Sequence, residues 1–411
     1  MKTLTDRLIA PDMARIDAQN ARRHVLALTL SKLADGLLDP KLVLSWLAGA
    51  IGVPAAFIGM LVPIREAGAL LPQLVIGARL RAMRQRRWVW IAGSAVQGLA
   101  AVGIAAAALI SGGIIAGLMI CGLLAVLSVA RAACSTSHKD ILGKTVVKTR
   151  RGAVTGLAGS VSAAGVAVFA VLMLAGVLTS QAALVGAVAL AGLAWLLAAL
   201  TLIGLREEDS TPQTGSSTAA YRTILGRDAN LRRFILVRGL LVSSALAPSY
   251  LVLLSVREGG TLAALGALVL ASSVAGFVSS YIWGRLSDRD SRLVLALCGG
   301  LAGVAMLAAI AAKILGVARV PGVIPAALLV LMLAYHGVRQ ARSIYLVDMS
   351  AAEDRAQNTA IANTAIGVIL LLAGVFGGAL SFIGPLGALG GFAAMSLAGG
   401  VSALTLQRPA G

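Results

Sequence analysis

Apolar residues fill this chain in long runs separated by short polar breaks. Leu, Val, Ala and Ile continue for some twenty residues at a time before Arg, Lys, Ser, Gly or Pro interrupts. About twenty such residues in a helix cross the roughly 30 Å hydrocarbon core of a bilayer. Twelve stretches can be marked, at approximately 24–51, 54–80, 88–110, 113–142, 152–177, 180–204, 232–257, 261–286, 292–315, 321–348, 357–380 and 383–405. Several exceed the minimum length, which predicts tilt or kinks. The pattern predicts an all-α integral membrane protein.

The breaks alternate in charge. Those near 52–54, 111–113 and 179–181 hold no Lys or Arg, and the next two of that set hold only Arg257, then Lys313 and Arg319. The other set is basic: Arg81, Arg84, Arg86 and Arg87; Lys144, Lys148, Arg150 and Arg151; several between Arg206 and Arg233; then Arg285, Arg289 and Arg292. Lys and Arg concentrate on the cytoplasmic side of membrane proteins. The basic breaks, and with them both termini, are therefore expected in the cytoplasm. The first residues lack the apolar region of a cleaved signal peptide.

The longest break, 206–231, is rich in Ser and Thr and contains Pro212 and Gly215, so it reads as a linker. It divides the chain into a cytoplasmic segment (1–23), a six-helix half (24–205), the linker, a second six-helix half (232–405) and a cytoplasmic tail (406–411). The halves repeat one another. Gly77 and Gly284 each precede a basic cluster; Arg131 precedes Asp140 as Arg339 and Arg342 precede Asp348. Two halves in the same orientation form a parallel repeat.

Composition narrows the chemistry. The chain has 411 residues, of which 58% are hydrophobic and only 13% charged. The net charge of +18 invites a nucleic-acid reading, but its placement in the breaks, with no aromatic-interleaved basic domain, argues against one. Cys121, Cys134 and Cys298 are scattered through apolar segments and read as buried side chains, without disulfide or metal spacing. No phosphate-binding glycine loop, HExxH or Cys/His cluster is present, and no cofactor is expected.

Charges inside the apolar stretches carry the functional signal. Each costs about 2.5–3.5 kcal/mol at the centre of a membrane helix, so such residues face a protein interior or water. The first stretch holds Lys32, Asp35, Asp39 and Lys41. Lys32, Asp35 and Asp39 fall on one helical face; Lys41 falls nearly opposite Lys32 and is left out of the site. Pro40 cannot donate a hydrogen bond, and its ring conflicts with the carbonyl of Gly36, so a kink or unwinding is expected between them. Arg65 and Glu66 reach a similar depth, so Arg65 is expected to pair with Asp35 or Asp39, and Glu66 with Lys32. A later stretch offers Arg131, Ser135, His138 and Lys139; its counterpart offers Tyr335, His336, Arg339 and Arg342. Arginine forks suit carboxylates and phosphates. The substrate-binding candidates are Lys32, Arg65, Arg131, Tyr335, Arg339 and Arg342, for an anionic or zwitterionic solute. The proton-coupling candidates are Asp35, Asp39 and Glu66, since coupling needs a carboxylate whose proton affinity its surroundings can move. A purely structural ion network is the competing reading.

The stretch Gly284-Arg285-Leu286-Ser287-Asp288-Arg289-Asp290-Ser291-Arg292 resembles the signature between helices 8 and 9 of the major facilitator superfamily, with Ser291 in place of the usual second glycine. The first-half copy is degenerate, with Arg81 where an acid belongs. Residues 59–68 and 70–74 are similar to an uncharacterised bacterial branch of that superfamily. The resemblance spans essentially the whole chain. It implies a monomeric secondary transporter moving a small solute, with protons, by alternating access, and a cytoplasmic gate at Gly284, Asp288, Arg289 and Arg292. The glycine-proline signature of many antiporters is absent from the fifth stretch. A multidrug/proton exporter and a transporter-like sensor or scaffold without flux remain the alternatives; only 4% aromatic residues weighs against an aromatic drug pocket.

Overall fold

The computed structural model describes residues 15–211, 228–350 and 355–408. Its helices are α1 (Arg15–Leu38), α2 (Val43–Ala50), α3 (Ala55–Leu70), α4 (Gln73–Arg81), α5 (Arg87–Ile110), α6 (Gly113–Thr145), α7 (Arg151–Leu174), α8 (Gln181–Ile203), α9 (Ala229–Leu240) and α10 (Ser243–Arg257). They continue with α11 (Leu262–Ser287), α12 (Arg289–Ile314), α13 (Val323–Asp348), α14 (Arg355–Leu380) and α15 (Pro385–Ala403). Among the described residues, 11 helical segments are long and apolar enough to cross a membrane. The segment made by α1 and α2 is not one of them, because its charges and its break interrupt the apolar run. The 212–227 part of the expected linker lies outside the described residues.

Proline and polar caps explain the interruptions. Pro40 offers no N–H to Gly36, and α1 ends at Leu38. The Asp39 carboxylate then accepts the backbone N–H of Lys41 at 2.7 Å in an Asx turn, and Ser45 Oγ donates to the Pro40 carbonyl at 2.7 Å as α2 begins. Pro72 separates α3 from α4 in the same way. Between α11 and α12, Asp290 leaves helical geometry (φ −158°, ψ 96°) and its Oδ1 accepts from the backbone N–H of Arg292 at 3.0 Å and of Leu293 at 3.1 Å. That is helix N-capping by a carboxylate.

Small residues set how closely the helices approach. Gly98 on α5 and Gly192 on α8 lie against each other's backbone, and Gly299 on α12 meets Gly400 on α15 in the same manner. A methyl group at any of the four would strike backbone atoms. Three packings join the helices before residue 204 to those after 228: α3 with α14, α7 with α11, and both α2 and α3 with α10. They are tight at the end carrying the weakly basic breaks. Trp46 lies on Gly260, Val256 on Gly49, and the α7 backbone at Ala170 and Leu174 on Gly266. Tyr250, fully buried, places its hydroxyl between Gly59 of α3 and Gly377 of α14.

The basic end is looser. A cavity of about 280 Å³ separates Gln73, Gly77, Arg81, Ser135, Thr136 and Lys139 from Thr359, Asn363 and Thr364. The basic breaks there are cross-linked within their own group. Arg86 pairs with Asp140; Lys144 reaches Asp140 at 3.0 Å and Glu207 at 3.4 Å; Glu207 accepts the Arg87 backbone N–H at 2.7 Å. Asn20 of α1 is bonded to both the N–H and the carbonyl of Arg206. The first residues expected to form the linker are thus folded onto the helix ends.

Candidate functional site

The break after α1 organises the site. Asp35, just before it, is held from two sides: Oδ1 accepts from Arg65 Nη2 at 2.7 Å, and Oδ2 pairs with Arg131 Nη2 at 2.5 Å. One carboxylate therefore ties α1 to α3 and α6. Asp39 is spent on the Asx turn. Lys41, just after the break, points into the centre. Its Nζ lies 3.3 Å from Glu66 Oε1, donates to the Tyr335 hydroxyl at 3.1 Å, and sits 4.4 Å from the centre of that ring. Lys41 thereby bridges the helices before residue 204 and α13.

Two sequence expectations are corrected here. Lys41 belongs to the cluster, because the break resets the helical phase that placed it on the opposite side. Glu66 pairs with Lys41 and not with Lys32, whose Nζ instead donates to the Thr155 carbonyl of α7 at 3.3 Å. The expected face of α6 also divides: Arg131, Ser135 and Lys139 face the interior, but His138 packs against Trp90, 4.9 Å between ring centres, beside His24.

Arg339 and Arg342 of α13 line two cavities. One, of about 50 Å³, also holds Glu66, Arg238, Ser244 and Tyr335. The other, of about 440 Å³, lies between α11 and α13. Arg238 of α9 is a site residue that the sequence reading passed over. It is buried, its Nη2 donates to Asn363 Oδ1 at 3.0 Å, and its Nε has no partner among the described residues. The available signal was the one used for the first stretch, a cation inside an apolar run. Together Lys32, Lys41, Arg65, Arg131, Arg238, Arg339 and Arg342 outnumber Asp35, Asp39 and Glu66. A cluster so charged in a low-dielectric interior is stabilised by an added anion.

The gate candidates lie along the turn from α11 into α12. A Cβ on Gly284 would meet the Gln340 side-chain amide at 3.3 Å. The cap of α12 is made by Asp290; the Asp288 side chain lies outside the described residues. Arg292 reaches Asp290 at 3.5 Å and the carbonyls of Leu404 and Leu406 at 3.4 and 3.3 Å, which ties α12 to the end of α15. Arg289 is exposed.

No protein-family model matches the chain, and no curated protein matches it. Solved structures do. The crystal structure of a mutant of the nucleoside transporter NupG superposes with a TM-score of 0.74 at 11% identity, covering 94% of this chain and 99% of that one. The crystal structure of a D-xylose-proton symporter superposes with a TM-score of 0.71 at 12% identity, covering 95% and 98%. The chain shares the fold of these two transporters, and it is a multi-pass membrane protein.

Proposed function

We propose that this protein is a proton-coupled secondary transporter for a small anionic or zwitterionic solute, working by alternating access. In this reading α1 and α2 together form a twelfth span, and the helices divide into two six-helix halves around 206–231. The basic breaks and both termini face the cytoplasm of a bacterial inner membrane, and the monomer is the working unit. The observation that carries the reading is the basic cluster lined by both groups of helices, with close glycine packings toward the weakly basic end and a cavity of about 280 Å³ between the groups toward the basic end. The fold supports it, since the nucleoside transporter and the D-xylose-proton symporter share it.

Lys32, Arg65, Arg131, Arg339, Arg342 and Tyr335 are assigned to the solute, joined by Lys41 and Arg238. Asp35 is locked by two arginines and Asp39 by a turn, whereas Glu66 has one lysine partner on the far side of a helix break. The exchangeable proton is therefore assigned to Glu66, with Lys41 as the partner it leaves. Gly284, Asp288, Arg289 and Arg292 retain a part in opening the cytoplasmic side through the α11–α12 turn. A drug exporter fits less well, because Glu66, Arg238, Arg339 and Arg342 place fixed charges on the walls of the central cavities.

The test is uptake into proteoliposomes of a panel of anionic and zwitterionic solutes, with and without a pH gradient. Glu66→Gln is expected to cut gradient-driven accumulation by about tenfold or more while leaving solute exchange between the two sides. Accumulation that persists at full rate in this variant would sink the assignment of the proton.

A further inference from the structure

We propose that the cavity between α11 and α13 is an oxyanion subsite, built for a tetrahedral dianion such as a phosphate or sulfate group in preference to a carboxylate. The assignment rests on the reading of the central cluster as a solute site and names the chemistry of one part of it.

The cavity of about 440 Å³ is lined by Ser279, His336, Arg339, Gln340, Arg342 and Ser343, with no carboxylate among its lining side chains. Its volume lies within the roughly 300–1,000 Å³ of small-molecule sites. Ser279 is 2% exposed, and its hydroxyl has no hydrogen-bond partner among the described residues. A buried hydroxyl left without a partner carries a desolvation cost that a ligand oxygen would remove. Gly276 shapes the same wall: a Cβ there would lie 3.3 Å from His336 Nε2, so the absence of a side chain leaves that ring edge open to the cavity.

The donor geometry favours a particular anion. A planar carboxylate is satisfied by a single guanidinium fork. A tetrahedral dianion directs acceptors outward on several sides and carries twice the charge, so it uses two guanidiniums together with a hydroxyl and an amide. Arg339 and Arg342 are three residues apart and so are neighbours on one helical face, where like charges repel. Neither has a carboxylate within ion-pair distance among the described residues, and Glu66, the nearest acid in the adjoining cavity, is engaged by Lys41. A dianion between the two arginines resolves that repulsion.

The full-length protein in nanodiscs of zwitterionic lipid is titrated with inorganic phosphate, sulfate, acetate and succinate, reading the unfolding midpoint by tryptophan fluorescence. Phosphate and sulfate are expected to raise it saturably, with apparent affinities about tenfold or more above either carboxylate. Ser279→Ala is expected to weaken phosphate about fivefold, and Arg339→Gln about a hundredfold. Arg339→Lys, which keeps charge but not the fork, falls between wild type and Arg339→Gln and controls for folding. Succinate or acetate binding as tightly as phosphate overturns the dianion assignment while leaving an anionic solute in place. Phosphate binding that ignores Ser279→Ala and Arg339→Gln places the anion elsewhere and overturns it too. Absence of any anion effect, with transport of a neutral solute unimpaired by Arg339→Gln, overturns both this subsite and the anionic reading. Repeating the phosphate titration in phosphatidylglycerol nanodiscs is expected to leave the midpoint concentration unchanged; a large rightward shift would give the cavity to a lipid headgroup and overturn the assignment.

Discussion

Asp35 shows how one side chain can hold three helices. Its two oxygens are taken by different arginines, one from α3 and one from α6, and its side chain is 24% exposed. Removing the shared acid leaves two cations facing each other, whereas removing one arginine leaves an intact pair. Asp35→Asn is therefore expected to cost about 2–3 kcal/mol, and Arg131→Gln about 1 kcal/mol, in thermal unfolding of the detergent-solubilised protein. Equal losses would mean that Asp35 depends on only one of its partners. The participation of Asp35 and Arg65 could be read from the sequence, because helical spacing holds up to Leu38. The place of Lys41 could not: nine residues from Lys32 is the opposite face only if the helix continues, and the Asx turn at Asp39 ends that continuity. Arg238 was legible in principle, being a cation within an apolar run, but its proximity to the basic linker masked it.

At the scale of helices, the sequence pattern located the spans well and their interruptions less well. The turn from α11 into α12 falls at Asp290, within the expected break, and α1 is already helical ahead of the apolar run, where Asn20 is bonded to the backbone of Arg206. Contacts among small residues were legible only as composition. Which glycine meets which side chain depends on tertiary placement, as with Gly59, Gly377 and the Tyr250 hydroxyl lodged between them. A methyl group on Gly59 would occupy the space of that hydroxyl, so Gly59→Ala is expected to push α10 away from α3. The cost is about 2 kcal/mol, within the range for overpacking. Tyr250→Phe alone removes a buried hydroxyl that has no partner among the described residues and is expected to be neutral or slightly stabilising. The double variant Gly59→Ala with Tyr250→Phe, which removes the hydroxyl a new methyl group would strike, should recover part of the loss in the unfolding midpoint. A Gly59→Ala protein as stable as wild type would show that this contact does not govern the packing of α10 on α3.

For the whole molecule, the decisive feature is asymmetry between the two ends. Trp46, Gly49, Gly59, Tyr250, Val256, Gly260 and Gly266 take part in packings that join the two groups of helices at the weakly basic end, while a cavity of about 280 Å³ divides them at the basic end. Electrostatics at the tight end reinforces the closure on the later helices: Glu258 binds Lys313 at 2.5 Å and Arg319 at 3.1 Å, and the hydrogen bond from Lys313, ahead of that from Arg319, holds its carboxyl below the usual glutamate value. A group shifted in that direction stabilises the folded chain above its unfolded pKa and loses the contribution as pH falls through the folded one. The tie from Glu258 to Lys313 and Arg319 therefore persists at neutral pH. The alternation of charge between breaks was legible in the sequence; which end is shut was not, because it depends on helix-to-helix packing and no single segment encodes it. If the basic end faces the cytoplasm, the captured conformation is inward-open. In a variant lacking Cys121, Cys134 and Cys298, a cysteine at Thr364 is expected to react with a membrane-impermeant maleimide added to inside-out vesicles about tenfold or more faster than one at Ser255, which is 8% exposed. In right-side-out vesicles the Thr364 cysteine should be protected from the same reagent. Rapid labelling at Ser255 in right-side-out vesicles, together with protection at Thr364 in inside-out vesicles, would mean that the resting protein opens at the other end.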